Sequence, residues 1–340
     1  MQLKQILSLS QKHGLLLSSD PFKIGPIGSI LMQNLNTEWL NSLVNNKEYP
    51  IFYDSDNFND SYNFVKGLCS ETLPFGIADT KSTQIEGNDV FSSLFSVSDY
   101  LRCNVFVAPT ESMQFFHQWQ RLRRMWWRKF SSTPGRYFTT DMQNNDGQHT
   151  VEIRAKYPWG EQLVEKLQMN ESKQQSISEE QNECKFKNIS VQSHHVSSEI
   201  CKPVMFLNTV CDAYEELPFQ DVKRVMFRFH RKLAPYKISF AVCNTYSSGV
   251  TIELYDLAQY LCKKLRTNNV SSLLLPKCTT DKLEQQYLQN DFIGVPYTVI
   301  LNEGTLKNGV ALLRSRDTTL KEQVHVSELP EYVDLLFKNY

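Results

Sequence analysis

No two of the eight cysteines, Cys69, Cys103, Cys184, Cys201, Cys211, Cys243, Cys262 and Cys278, stand as a CxxC pair. No Cys/His set has zinc-finger spacing, which excludes the common structural zinc modules and leaves free thiols in a reducing compartment as the reading. The neighbours His194 and His195 lack a second ligand pair nearby, so no metal site and no cofactor is expected. No apolar run approaches the ~20 residues that span a bilayer, and no membrane association is expected. Net charge is also nearly absent, at −1 over 340 residues. Whole-chain electrostatics therefore do not point to a polyanionic partner.

The near-zero balance hides segregation. Residues 112–140 hold six Lys/Arg and no Asp/Glu, and residues 222–252 again hold six and none. Local basic patches of this kind are the electrostatic footprint of nucleic-acid or acidic-partner contact. The first, Arg121, Arg123, Arg124, Arg128 and Lys129, reads either as a face for nucleic-acid or acidic-partner contact or as the solvated face of an amphipathic helix. They lie on a helix whose apolar stripe is Phe115, Trp119, Leu122, Trp126 and Phe130. No acid on that helix is available to pair with them. The second patch is Lys223, Arg224, Arg228, Arg231 and Lys232, with Arg224, Arg228 and Arg231 on one face of an expected helix. Arg314 and Arg316, with Asp317, read either as turn braces or as partner contacts. Glu253, at an expected helix start and first acid after the basic stretch, is a candidate for an ion pair with a partner.

With 41% hydrophobic residues and 12% aromatics, the chain has ample core material for two domains or three. The N-terminus, without an acid before Asp20 and rich in Ser, is mildly transit-peptide-like but also reads as an ordinary amphipathic helix. A long helix with Ile30, Leu31, Leu35, Trp39, Leu40 and Leu43 on one face follows a Gly/Pro turn. "TVEIRAKYPW" reads as a strand and "GEQLVEKLQM" as a helix. Residues 169–202 are poor in aliphatics and read as a surface excursion. The last third alternates strands and helices, and its Asn308-Gly309 is a hairpin signal.

Several stretches, in this order, resemble class II aminoacyl-tRNA synthetases of the glycyl type. They are "GPIGSILMQNLNTEWL", "QRLRRMWWRKF" with "YPWGEQLVEKL", and "LAPYKISFAV" with "GVPYTVILNEGTLKNGVALLRSRDTT" and "QVHVSEL". The pairing of "WWRKF" with "LRSRDTTLKEQVHVSEL" is similar to a synthetase-derived family, the accessory (beta) subunits of mitochondrial DNA polymerase gamma. The resemblance implies an α/β (α+β) fold. Residues 1–228 would be a degenerate synthetase-like domain with an antiparallel sheet. Residues 229–340 would be an anticodon-binding-like domain with a mixed five-stranded sheet and helices.

Adenylate formation needs positive side chains to neutralise phosphoryl oxygens. A class II site supplies them as an Arg followed two residues later by Glu, and a Gly-rich strand ending in Glu-Arg. Here Arg136 is followed by Phe138, and "LPFQDVKRVMFRFHRKLAP" holds neither a Gly-rich strand nor Glu-Arg. No catalytic residue is expected.

The resemblance thus implies a non-catalytic processivity subunit in the mitochondrial matrix and nucleoid. It would bind the polymerase catalytic subunit and tighten that complex on double-stranded primer-template DNA. The match begins within the first 20 residues, so no separate presequence is visible. The alternatives are a stand-alone tRNA- or RNA-binding synthetase paralogue and an active synthetase. Vertebrate members carry a dimer-building helical insertion that has no counterpart between Trp39 and Leu73. That interval lacks sustained three-and-four spacing, which predicts an insect-like monomer pairing one-to-one with the catalytic subunit.

Overall fold

The computed structural model describes residues 2–45, 48–54, 58–85, 89–95, 97–171, 183–219, 222–243 and 248–338. In chain order the elements begin with α1 (Gln2–Lys12), β1 (Leu16–Ser19), β2 (Phe22–Ile24), α2 (Pro26–Val44), β3 (Ile51–Tyr53) and α3 (Phe58–Leu68). Next come β4 (Phe75–Gln84), β5 (Val97–Val107), α4 (Ser112–Phe130), β6 (Tyr137–Thr139), β7 (Gln143–Asn145), β8 (Gln148–Tyr157) and β9 (Gly160–Asn170). Then follow β10 (Glu183–Phe186), β11 (Ile189–Gln192), β12 (His194–Cys201), α5 (Lys202–Ala213), β13 (Tyr214–Phe219) and β14 (Val222–Phe227). The last elements are β15 (Ile238–Val242), α6 (Ser248–Thr267), β16 (Ser272–Leu273), α7 (Leu283–Ile293), β17 (Tyr297–Leu301), α8 (Glu303–Asn308), β18 (Val310–Ser315), β19 (Lys321–His325) and α9 (Leu329–Lys338).

Residues Leu35–Thr209 form one compact unit, and Met1–Asn34 with Val210–Tyr340 form another. The division does not follow the expected 228/229 boundary. The β13–β14 hairpin belongs with the C-terminal residues because Arg224 of β14 is ion-paired to Asp291 of α7 at 2.7 Å.

The first unit is built on an eight-stranded sheet in the order β3-β4-β5-β12-β9-β8-β6, with β7 also paired to β8. It is antiparallel except at the β3–β4 pair. Residues 160–170 are a strand of this sheet, not the expected helix. Gln162, Val164, Glu165, Leu167 and Met169 are buried, a two-residue period broken by an irregularity in the β8–β9 register. Leu163, Val164 and Leu167 mimic helical spacing, while two of the inward residues are polar and escape a hydrophobic pattern. The expected excursion at 169–202 is also only partly one. Residues 172–182 lie outside the described residues. β10 and β11 form a separate hairpin, and β12 is an interior strand between β5 and β9. Ser197 and Ser198 are buried there and mask the strand's core character.

The second unit holds the expected mixed five-stranded sheet, ordered β16-β15-β17-β18-β19. β15 is parallel to both neighbours, whereas β17–β18 and β18–β19 are antiparallel. Leu254, Ala258, Leu261 and Leu265 of α6 recur at helical spacing and pack with Ile238, Phe240, Val242, Val299 and Leu301. Asn308-Gly309 does not make a hairpin turn. Gly309, at φ +72°, ends the short helix α8, and a Cβ there would lie 2.4 Å from His325 Nε2.

Candidate nucleic-acid and partner surfaces

The α4 helix sorts its five basic candidates by geometry. Its buried stripe is Phe116, Trp119, Arg123, Trp126, Trp127 and Phe130, so Arg123 takes the inward place expected for Leu122. Leu122 is 54% exposed and Arg123 only 3%. Arg123 Nε donates to Glu165 Oε1 at 2.7 Å, and Trp127 Nε1 donates to Glu165 Oε2 at 2.7 Å. The missing counterion thus comes from β9, and Arg123 is withdrawn from any surface role. Arg128 is half-buried and donates to the Tyr137 carbonyl at 2.9 Å. Arg121 and Lys129 are exposed and Arg124 is half-buried. These three, with Leu122 and Met125 between them, form the outward basic face.

In the second patch the expected helix is the strand β14, followed by irregular chain at 228–230 and a turn at 231–233 closed by Leu233 and Ala234 N–H groups donating to the His230 carbonyl. Alternation places Arg224 inward and Lys223 outward. Arg224 donates through Nε and Nη2 to Asp291 Oδ2 at 3.0 and 2.7 Å. Arg314 of β18 donates to Asp291 Oδ1 and Oδ2 at 3.0 and 3.1 Å. One buried carboxylate therefore holds two buried guanidinium groups.

Arg316, 2% exposed, donates to the carbonyls of Phe227, Gly294 and Phe229 at 3.1, 2.8 and 2.9 Å. Its Nε donates to Asp317 at 2.8 Å. Arg224, Arg314 and Arg316 are thus internal braces, and the sequence-based surface roles for them do not hold. Burial favours the neutral form of Asp317, but Arg316 and then Arg228 outweigh it and lower the carboxyl's pKa. Arg228 is 43% exposed but ion-paired to Glu215 and Asp317 at 3.3 and 3.6 Å. Arg231 is half-buried and donates to the Leu336 carbonyl at 3.0 Å. Lys232 is half-buried, and the Lys223 side chain is 78% exposed with a loose 3.4 Å contact to Glu216. Glu253 lies in the second turn of α6 rather than at its start, and it is exposed.

The face of the eight-stranded sheet holds a cavity of about 710 Å³ lined by β4, β5, β8, β9 and β12. A single cross-strand row starts at Asp79, outside the lining, and runs through the cavity floor from Arg102 to Glu152. Asp79 is opposite Arg102, Arg102 opposite Glu199, Glu199 opposite Lys166, and Lys166 opposite Glu152. The signs alternate along five adjacent strands. Arg102 also forks onto Asp79 at 2.8 and 2.6 Å, and Arg154 is bonded to Glu152 at 2.7 Å. Directly opposed opposite charges are mutually stabilising. The row therefore carries no surplus positive charge with which to hold a polyphosphate. Arg136 is also engaged: it donates to the Lys156 carbonyl at 3.0 Å and stacks 4.1 Å from the Tyr157 ring.

The two adjacent histidines serve the sheet. His194 Nδ1 is 2.9 Å from Ser112 Oγ, and His195 Nε2 is 2.9 Å from Asn104 Oδ1. Burial, then the charge of Arg102, lowers the His195 pKa to about 4. The cysteines are free thiols, and burial pushes Cys103 up to about 12. Among the described residues no three His, Cys, Asp or Glu side chains form a metal-binding group, and no helix is long and apolar enough to cross a membrane. Sequence reasoning missed Glu165, Asp291 and the floor row, because each depends on register or on a partner distant in sequence.

Residues 241–335 match the anticodon binding domain family. Among curated proteins, the chain is 28% identical over 288 residues to DNA polymerase subunit gamma-2 of Mus musculus, covering 78% of this chain and 60% of that protein. It is 30% identical over 265 residues to mitochondrial DNA polymerase subunit gamma-2 of Drosophila melanogaster, covering 73% and 70%. It is also 24% identical over 292 residues to a glycine–tRNA ligase of Chlorobaculum tepidum, covering 80% and 58%. The chain thus spans somewhat less than two thirds of the mouse and bacterial proteins and somewhat more than two thirds of the fly protein. By that last likeness, the chain belongs to the DNA polymerase subunit gamma-2 family.

Proposed function

We propose that this chain is a non-catalytic accessory subunit of a mitochondrial DNA polymerase, acting in the matrix nucleoid. It docks on the catalytic subunit through the anticodon-binding-like module. It holds the complex on primer-template DNA by slowing dissociation, an effect on residence time and not on chemistry. Family membership supports the reading, and so does one electrostatic observation. The floor row of the cavity is neutralised strand by strand, whereas Arg121, Arg124 and Lys129 face outward on a helix without an acid. Charge available to a polyanion therefore lies outside the cavity where adenylation would require it.

The two basic patches are not equal in this reading. Arg121, Arg124 and Lys129 carry the DNA contact, with Lys223 as an accessory. Arg228, Arg231 and Lys232 are secondary because their side chains or surroundings are already engaged. Glu253 is the partner-facing candidate that stays accessible. A monomer pairing one-to-one with the catalytic subunit completes the proposal.

Primer extension with the catalytic subunit, with and without this chain, is the test. Longer products per binding event are expected, and no stimulation overturns the reading. Pyrophosphate exchange with any amino acid would instead reveal a synthetase. Duplex binding should have a marked salt slope, and Arg121→Glu with Arg124→Glu should flatten that slope by about two ions, roughly 0.9 for each phosphate that is no longer neutralised.

A further inference from the structure

The N-terminal half of α4 presents a surface of opposite character to its basic half. Glu111, Gln114, Phe115 and Gln118 recur at i, i+3, i+4 and i+7 and so form one stripe. They wall a groove of about 250 Å³ whose floor includes Pro74, Val107 and Ala108 and whose far wall is Phe186 of the β10–β11 hairpin. Tyr49 closes one end, with its ring 5.3 Å from that of Phe115. Carboxylate, amide oxygens and aromatic faces converge there. Phosphate is repelled by such a lining. A planar cation with several donors is favoured, because it can stack on aromatic faces and fork onto oxygens.

One feature of the chain already acts out this recognition. Lys187, at the turn of the hairpin, places Nζ 4.7 Å from the Phe186 ring and 3.6 Å from Glu111 Oε1. Its side chain is 73% exposed and that of Glu111 52%. An ammonium from the protein's own surface thus rests at the rim in a loose, displaceable contact.

We propose that this groove receives an arginine side chain presented by a protein partner, which displaces Lys187 from Glu111. The guanidinium lies between Phe115 and Phe186, pairs with Glu111 and donates to the amide oxygens of Gln114 and Gln118. The size favours one side chain, since pockets for whole small-molecule ligands run to roughly 300–1,000 Å³. The length favours a peptide, since seven helical positions extend the stripe over roughly 10 Å along an apolar floor.

The test is NMR on the full chain, following the amides of Glu111 to Gln118. The probes are acetyl-Gly-Arg-Gly-amide, the same peptide with Gln in place of Arg, and free arginine. Saturable shifts are expected with the arginine peptide and none with the glutamine peptide. Free arginine should bind more weakly, because its carboxylate meets Glu111. Glu111→Gln should weaken the peptide about tenfold through loss of a charge-assisted hydrogen bond. Lys187→Asn, chosen because Asn tolerates the φ of +49° at that turn, should strengthen it about threefold by vacating the rim. Opposite signs from two neighbouring residues are the signature of competition for one carboxylate. The proposal is overturned if Lys187→Asn shows no saturable binding at millimolar peptide. It is equally overturned if Glu111→Gln leaves affinity unchanged or if the glutamine peptide binds as well. Free arginine binding more tightly than the peptide would make the groove a metabolite site and overturn the protein occupant.

Discussion

Replacing Asp291 with Asn should destabilise the C-terminal unit more than removing either arginine that it holds. The Asp291 carboxylate is 1% exposed and accepts four hydrogen bonds, two each from Arg224 and Arg314, which are 8% and 5% exposed. Its neutralisation leaves two buried guanidinium groups facing one amide oxygen. Breaking a buried pair by removing one partner costs about 3–5 kcal/mol, because the charge left behind stays desolvated. Two stranded cations place Asp291→Asn near the upper end of that range. Arg224→Met leaves a one-to-one Arg314–Asp291 pair and should cost about half as much. With a urea dependence of about 2 kcal/mol/M, the Asp291→Asn midpoint should fall by about 2 M. Hydrogen exchange on β14, α7 and β18 assigns the loss to this unit, since a chain with two compact units need not unfold in one step. Joint replacement of Asp291, Arg224 and Arg314 by Leu, Met and Met should recover most of the loss. A midpoint shift below about 0.5 M for Asp291→Asn, or a larger one for Arg224→Met, would refute this account of the brace.

His195 gives a pH signature. Its folded pKa of about 4 lies below the ordinary 6.5, so its contribution is complete above pH 6.5 and is lost as the pH falls from 6.5 to 4; the gap corresponds to about 3 kcal/mol. Urea midpoints across that window should flatten in His195→Gln, and an unchanged slope would exclude His195 as the source. Arg123→Met should strand buried Glu165 and cost about 3–5 kcal/mol, whereas Arg121→Glu on the same helix should stay within about 0.5 kcal/mol of the parent in thermal unfolding. Light scattering at micromolar concentration should give a mass near 39.5 kDa, and a stable mass of twice that would refute the monomer.

The five-stranded sheet of the C-terminal unit and the α6 helix packed on it were legible because their signals are local. The α6 stripe and the apolar strands "KISFAVCN" and "PYTVILN" declare their elements without reference to distant residues. β9 and β12 were not legible. Their inward positions include Gln162, Glu165, Ser197 and Ser198, which a hydrophobic period cannot register. The basic patches are legible as charge but only in part as surface. Sequence shows that α4 lacks an acid, but not that β9 supplies one to Arg123. Arg224 required two facts, strand instead of helix and Asp291 opposite, and the second lies 67 positions away.

The α4 helix has a further property that bears on every experiment made upon it. Glu111 stands at its N-cap position without a side-chain capping hydrogen bond, and Arg128 and Lys129 occupy its last turn. The aligned peptide dipoles leave partial positive charge at the first end and partial negative charge at the second, so this placement of side-chain charge steadies the helix on its own account. The charge gradient along α4 thus has a role before any ligand arrives. Charge reversal at Lys129 changes both the outward field and the fraying of the last turn. At Arg121, in mid-helix, it changes the field alone. A loss of DNA affinity in the first variant mixes two causes, and the same loss in the second has one.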